Sequence, residues 1–154
     1  MTNSSTYKGR VLLQQCLGAE LRTGQDGSVR IGRGVVAFVC FMRGADSTTI
    51  NRMAKIIISA ALSETPEGFK SVVGLPGDIL VVPQATLGGK SKGKTVQYHN
   101  NAPKAEANVI YCAFVKTLTD LVPDTRVEHG AFGERQVLAM DNTCGPFSHC
   151  FDVE

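Results

Sequence analysis

The run Ile79-Leu80-Val81-Val82, closed at once by Pro83, limits the architectures open to this chain more than any other stretch. It is too short for a helix, and with no polar alternation both faces of a strand here must be buried. Proline lacks the amide donor that continued pairing requires, so the ladder stops or moves to an edge at Pro83. Gln84, Ala85 and Thr86 therefore emerge where the strand leaves the core. Gly88-Gly89-Lys90-Ser91-Lys92-Gly93-Lys94 follows, a flexible cationic loop able to hold an anion beside a rigid pocket. The same residues also fit a strand that runs into an ordinary solvated loop.

A second apolar run spans Gly34-Val35-Val36-Ala37-Phe38-Val39-Cys40-Phe41. Before it, Val29 and Ile31 alternate with Ser28, Arg30 and Gly32, and Gly24-Gln25-Asp26-Gly27 is a turn signal. With Val11-Leu12-Leu13, these segments predict consecutive strands of an antiparallel meander. Ser47 is expected to cap a helix with the stripe Ile50, Met53, Ala54, Ile57, Ile58 and Ala61. Residues 69–73 are a further strand candidate, and 88–101 read as a long polar loop. Pro103 suits the first turn of a second helix. Its stripe is Ala107, Ile110, Tyr111, Phe114, Leu118 and Leu121, and Pro123 stops it. Residues 126–128, 136–140 and 145–153 are β-like. The expected fold is one α+β domain over 1–154, mostly antiparallel sheets with two amphipathic helices, and a flexible segment at 1–9.

Charge and cysteines narrow the function. Sixteen Lys and Arg against fourteen Asp and Glu leave a net +2, so any anion site must be local rather than a property of the whole surface. Five cysteines with no C-x-x-C pair argue against a disulfide framework or a zinc knuckle and for a reducing, cytoplasmic setting. No stretch has the length and apolarity of a membrane span or the core of a secretory leader, so no membrane role is expected.

Met140-Asp141-Asn142-Thr143-Cys144-Gly145-Pro146-Phe147-Ser148-His149-Cys150-Phe151 invites a nucleophile reading. In an extended segment, however, Ser148 and His149 face opposite ways and form no direct dyad. Cys144 has no adjacent base. Gly145-Pro146 combines close backbone approach with a fixed φ, a means of presenting carbonyls rigidly, or a plain turn. His99 and His129 have no partners at ligand spacing, so no metal is expected. Gly130-Ala131-Phe132-Gly133 lacks a phosphate-binding frame. Asp78, Asp141 and Asp152 read as turn or strand-end residues.

Pro83-Gln84-Ala85-Thr86-Leu87 and Gly145-Pro146-Phe147-Ser148 resemble the two signature motifs of the D-aminoacyl-tRNA deacylases. The resemblance runs from Leu12-Leu13-Gln14-Gln15 to the C-terminus. It is nearest to the animal-type branch, which has proline where bacterial relatives begin the first motif with serine. Gly88-Gly89, Gln97-Tyr98-His99 and His129-Gly130, with Arg135-Gln136-Val137-Leu138, fit the same branch. Cys144 and Ser148 depart from it, standing where asparagine and threonine are usual.

The resemblance implies an editing esterase that cleaves D-aminoacyl-tRNA or mischarged aminoacyl-tRNA, with glycine and L-alanine among the acyl groups. It implies no cofactor and no metal. Backbone groups at Gln84, Ala85 and Thr86 would hold the ester carbonyl, with help from the 2′-hydroxyl of the terminal adenosine. Pro83, Gly145, Pro146, Phe147, Ser148 and Gln15 would shape the substrate site, and Lys90, Lys92 and Lys94 would steer the tRNA. The Gly145-Pro146 gate would enter the active site of the other subunit of a homodimer. Bacterial relatives have a cis Gly-Pro bond pinned by an arginine. Gln15 stands at that arginine's position, so a trans bond is expected here. The changes at Cys144 and Ser148 also fit a different class, a catalytically silent paralogue that binds tRNA or another nucleic acid.

Overall fold

Ile79, Leu80 and Val81 have no exposed surface, because their strand lies in the middle one of three layers. The computed structural model describes residues 7–24, 27–142, 145 and 147–154. The chain opens with β1 (Gly9–Cys16), β2 (Gly18–Thr23), β3 (Gly27–Ile31) and β4 (Gly34–Phe41). Helix α1 (Ser47–Ser59) is followed by the short β5 (Ser63–Thr65) and β6 (Gly68–Lys70), then by β7 (Asp78–Pro83). Next come β8 (Lys90–Lys92), β9 (Thr95–Gln97), helix α2 (Lys104–Leu121), β10 (Val127–His129), β11 (Gln136–Asp141) and β12 (Ser148–Val153).

The middle layer is a sheet in the order β10-β7-β4-β1-β12. Its parallel neighbours, β4 with β7 and β7 with β10, are joined through α1 and α2, as parallel pairing requires a long crossover. The helices cover one face of this sheet. Ile50, Met53, Ala54 and Ile57 of α1, with Tyr111, Phe114 and Leu118 of α2, pack on Val11, Leu13, Val35, Ala37, Ile79 and Val81. A smaller sheet, β11-β2-β3, covers Val36, Leu80 and Val82 on the other face. Burial on both sides explains why the apolar runs show no alternation. The architecture is α+β, with antiparallel pairing elsewhere in the two sheets.

The predicted meander is corrected. β2 and β3 do form an antiparallel hairpin, but β1 pairs with β4 and β12 in the other sheet. At Leu17 the chain turns away, its N–H bonding to Asp141 O at 2.7 Å, and β2 crosses to the second layer. Gly34 makes the central pairing possible. A Cβ there would lie 1.9 Å from the Asp78 carbonyl oxygen, so only glycine allows β4 this close to β7.

Both helical stripes pack into the core over Ile50–Ile57 and Ala107–Leu118, but the last member of each is corrected: Ala61 lies beyond the end of α1 and is exposed, and Leu121 at the end of α2 is exposed. The α1 cap is Asp46 rather than Ser47. Its carboxylate accepts from Thr49 N–H at 3.1 Å, and the Thr49 hydroxyl accepts from Asp46 N–H at 3.2 Å. Of residues 69–73, only Phe69 and Lys70 lie in a strand, the short β6; Phe69 is exposed, whereas Val72 packs into the core. The expected loop at 88–101 contains the β8–β9 hairpin, which turns at Gly93 (φ 60°). Lys8 N–H bonds to Val153 O at 2.6 Å, so pairing reaches into the segment expected to be flexible; residues 1–6 lie outside the described residues.

Phe114 sits fully buried between helix and sheet, edge-on to Phe41 with ring centroids 5.7 Å apart. Phe114→Ala is expected to lower unfolding stability by about 3–5 kcal/mol. Chemical denaturation measures it directly.

Candidate active site

Val39 of β4 stands opposite Pro83, and the last ladder bond runs from Gln84 N–H to Val39 O at 2.9 Å. Having no N–H, Pro83 ends the strand, and Ala85–Gly88 coil into a short 3-10 turn. Leu87 N–H bonds back to Gln84 O at 3.3 Å. Among the described residues, no acceptor takes the N–H of Ala85 or of Thr86. These are the first amides of a helical turn, which its own carbonyls cannot reach. Two backbone donors are thus left available at the turn, and its first residue, Ala85, lines a cavity of about 400 Å³.

Gln84 and Ala85 line that cavity, facing Asn101, Lys104, Phe132 and Glu134. Pro83 and Gln84 also border a neighbouring cavity of about 220 Å³ with Gln136. The Thr86 side chain is exposed. Tyr111 forms part of the cavity wall, its hydroxyl donating to Gly130 O at 2.7 Å and its ring 5.7 Å from that of Phe132. Burial pushes the Tyr111 phenol far up, so it stays a neutral donor. Cys40 lies in the wall as well. Burial pushes its thiol up to about 11, which keeps it protonated and unreactive at neutral pH. Among the described residues, no group of three His, Cys, Asp or Glu side chains could hold a metal ion.

The second predicted motif lies elsewhere. Gln15 and Phe147 line a separate cavity of about 700 Å³ with Arg33 and His149. Gln15 Nε2 donates to the Leu62 carbonyl, and Gln14 Nε2 to Ser148 Oγ at 2.7 Å. Ser148 pairs with Gln14 and His149 with Leu13, so their side chains fall on opposite faces of the sheet. Gly145 is exposed, its N–H bonding to Asn142 O at 3.0 Å. Cys144 and Pro146 lie outside the described residues, and with them the expected trans Gly145-Pro146 bond.

Strand register sets the distance between the two motifs. Gln14, beside Ser148, pairs with Val36, three residues along β4 from the partner of Pro83, and β12 lies three strands from β7. At ordinary strand spacings this is about 10 Å along and about 14 Å across, about 17 Å in all. The sheet brings Pro83, Gln84 and Ala85 together, and Gln15, Phe147 and Ser148 together. It does not join the two groups within one chain.

Lys90, Lys92 and Lys94 are exposed on the β8–β9 hairpin, just before the segment that carries Asn101. Asp78 and Asp152 are structural. Asp78 Oδ2 accepts from Gly32 N–H at 2.8 Å, and Asp152 pairs with Arg10 at 2.7 Å. Sequence reasoning missed Cys40, Asn101, Tyr111 and Glu134. Each comes from a different segment and meets the cavity only once the chain has folded, with no local pattern to mark it.

A family model described as D-Tyr-tRNA(Tyr) deacylase matches residues 12–152. "D-aminoacyl-tRNA deacylase 2" of Homo sapiens is 42% identical over 160 residues, covering 94% of this chain and 95% of that protein. Its Danio rerio counterpart is 41% identical over 159 residues, covering 94% and 99%. Among solved structures, a probable eukaryotic D-amino acid tRNA deacylase superposes with a TM-score of 0.83 at 28% identity, covering 95% of this chain and 100% of that one. The c-Myc DNA unwinding element binding protein shares the fold, with a TM-score of 0.86 at 22% identity and 94% and 99% coverage. The family model and the relatives place this fold among the tRNA deacylases. The chain is a member of the D-aminoacyl-tRNA deacylase family and is similar to its animal representatives.

Proposed function

We propose that this protein hydrolyses the ester of D-aminoacyl-tRNA or of mischarged aminoacyl-tRNA, glycine and L-alanine included, releasing tRNA and the free amino acid. The observation that carries the proposal is the pair of unengaged amides, Ala85 and Thr86, in a turn whose first residue lines a cavity, in a chain of this family. The ester carbonyl oxygen takes both N–H bonds and gains stabilisation as negative charge develops on it. Water adds to the carbonyl carbon, the tRNA oxygen leaves, and the 2′-hydroxyl of the terminal adenosine relays the proton. No side chain need act as nucleophile, and the neutral thiol of Cys40 agrees with that. The reaction belongs in the cytoplasm, where charged tRNA is used. Incubation with D-tyrosyl-, glycyl- and L-alanyl-tRNA tests the reading: release of at least one amino acid is expected, and no turnover on any of the three overturns it.

The separation of the two motifs supports a homodimer in which Gly145 and Pro146 of one subunit close the pocket of the other. Pro83 and Gln84 then form the wall, and Phe147, Ser148 and Gln15 support the gate. Gln15 hydrogen-bonds within its own chain and carries no charge, which favours a trans, roomier gate that admits a small L-substituent.

Replacing Lys90, Lys92 and Lys94 together by alanine is expected to weaken tRNA binding while sparing the chemical step. Each lost phosphate contact should lower the slope of log affinity against log salt by roughly 0.7–0.9. Titration at several ionic strengths reads the slope; an unchanged one means the hairpin is merely solvated.

A further inference from the structure

The turn Ala85–Gly88 is weakly held by its own backbone. Its flanking bonds, Leu87 N–H to Gln84 O and Gly89 N–H to Thr86 O, measure 3.3 and 3.2 Å, long for such bonds. Side chains from distant segments hold its carbonyls more closely. Asn101 Nδ2 donates to Ala85 O at 2.9 Å, and Arg10 Nη1 donates to Leu87 O at 2.9 Å. The Cys40 thiol donates to Ala85 O at 3.7 Å.

The two nitrogen anchors are themselves fixed. Arg10 Nε and Nη2 reach the two Asp152 carboxylate oxygens at 2.7 and 3.3 Å, and the guanidinium lies 4.5 Å from the centre of the Tyr7 ring. That leaves Nη1 for the turn. Asn101 is wedged against Gly88, where a Cβ would come within 1.8 Å of its Oδ1. Asn101 Oδ1 is buried without a hydrogen-bond partner. The amide therefore forgoes a bond on its oxygen side and makes one from its nitrogen to the turn. Flipping it would set two oxygens against each other.

Peptide planarity carries this anchoring to the reaction centre. The Ala85 carbonyl and the Thr86 N–H belong to one rigid unit and point in opposite directions, so fixing one aims the other. The geometry points to Asn101 as a positioning residue that aims the Thr86 amide, with Arg10 as the second anchor of the same turn. This rests on the proposed role of the turn in holding the ester carbonyl. Neither side chain needs to touch the reacting atoms.

Asn101→Asp keeps the shape and removes the donor. Single-turnover release of D-tyrosine from D-tyrosyl-tRNA should fall about 10–100-fold, since a displacement of about 1 Å can cost about 100-fold. The Kd for the same tRNA should stay within about threefold, a split that simple loss of fold would not produce. Arg10→Met should also slow the chemical step. Arg10→Lys, which restores a donor toward Leu87 O, should recover much of that loss. A wild-type rate in Asn101→Asp, a loss confined to Kd, or equal impairment of the two Arg10 variants would each overturn the positioning role. If Asn101→Asp does not fold, the Arg10 pair decides alone, at a side chain 25% exposed. A wild-type protein inactive on D-tyrosyl-, glycyl- and L-alanyl-tRNA overturns the reading of the site and this inference with it. An active wild type with unimpaired variants overturns the positioning role only.

Discussion

Ala85→Pro is expected to cut the single-turnover rate of aminoacyl-tRNA hydrolysis by about 100–1,000-fold, the usual loss for removing one donor from a developing oxyanion. The substitution is selective. Proline deletes the Ala85 N–H, which no acceptor among the described residues uses, so no structural bond is lost. The backbone already suits it. Gln84 is extended, at φ −144° and ψ 93°, as a residue before proline prefers, and position 85 opens a helical turn, where proline is well tolerated. The Ala85 side chain is exposed, which leaves room for the ring. Ala85→Gly, which keeps the amide, should remain active. Full activity in Ala85→Pro, with unfolding and tRNA affinity unchanged, would show that the carbonyl is held elsewhere.

Mixing two inactive variants is expected to restore about a quarter of wild-type activity if each site is shared between subunits. One variant carries Ala85→Pro and lacks a working pocket. The other carries Gly145→Ala, where the added Cβ would lie 2.4 Å from the Phe147 backbone nitrogen and displace the gate. Each homodimer has no intact site. A mixed dimer has one of two, because the intact pocket of one chain meets the intact gate of the other. Random exchange makes half the dimers mixed, hence about a quarter of the sites. Both variants must be folded and must exchange subunits. If they do and the mixture stays inactive, each site is built within one chain.

Much of this arrangement was legible from residue order. The helix stripes at Ile50–Ile57 and Ala107–Leu118 repeat at helical spacing, and the run before Pro83 gave both a buried strand and the place where it ends. Partner choice was not legible. Val11-Leu12-Leu13 and the apolar run at 34–41 fit many neighbours equally, and only the crossing at Leu17 sends β2 to another layer. The β8–β9 hairpin escaped because strands of three polar residues carry no hydrophobic period. Cys40, Asn101 and Arg10 could not be found by spacing at all. They meet the turn after sheet closure, from segments 45, 16 and 77 residues away from their partners in sequence.

Main-chain donors change how such a site can diverge. The side chains at positions 85 and 86 face outward, and any residue except proline supplies the same amide. On the proposed mechanism, selection on the reaction acts on the path of the peptide, through residues such as Gly88 and Asn101 that shape it. The side chains at 85 and 86 are then free to be recruited for choosing among acyl groups.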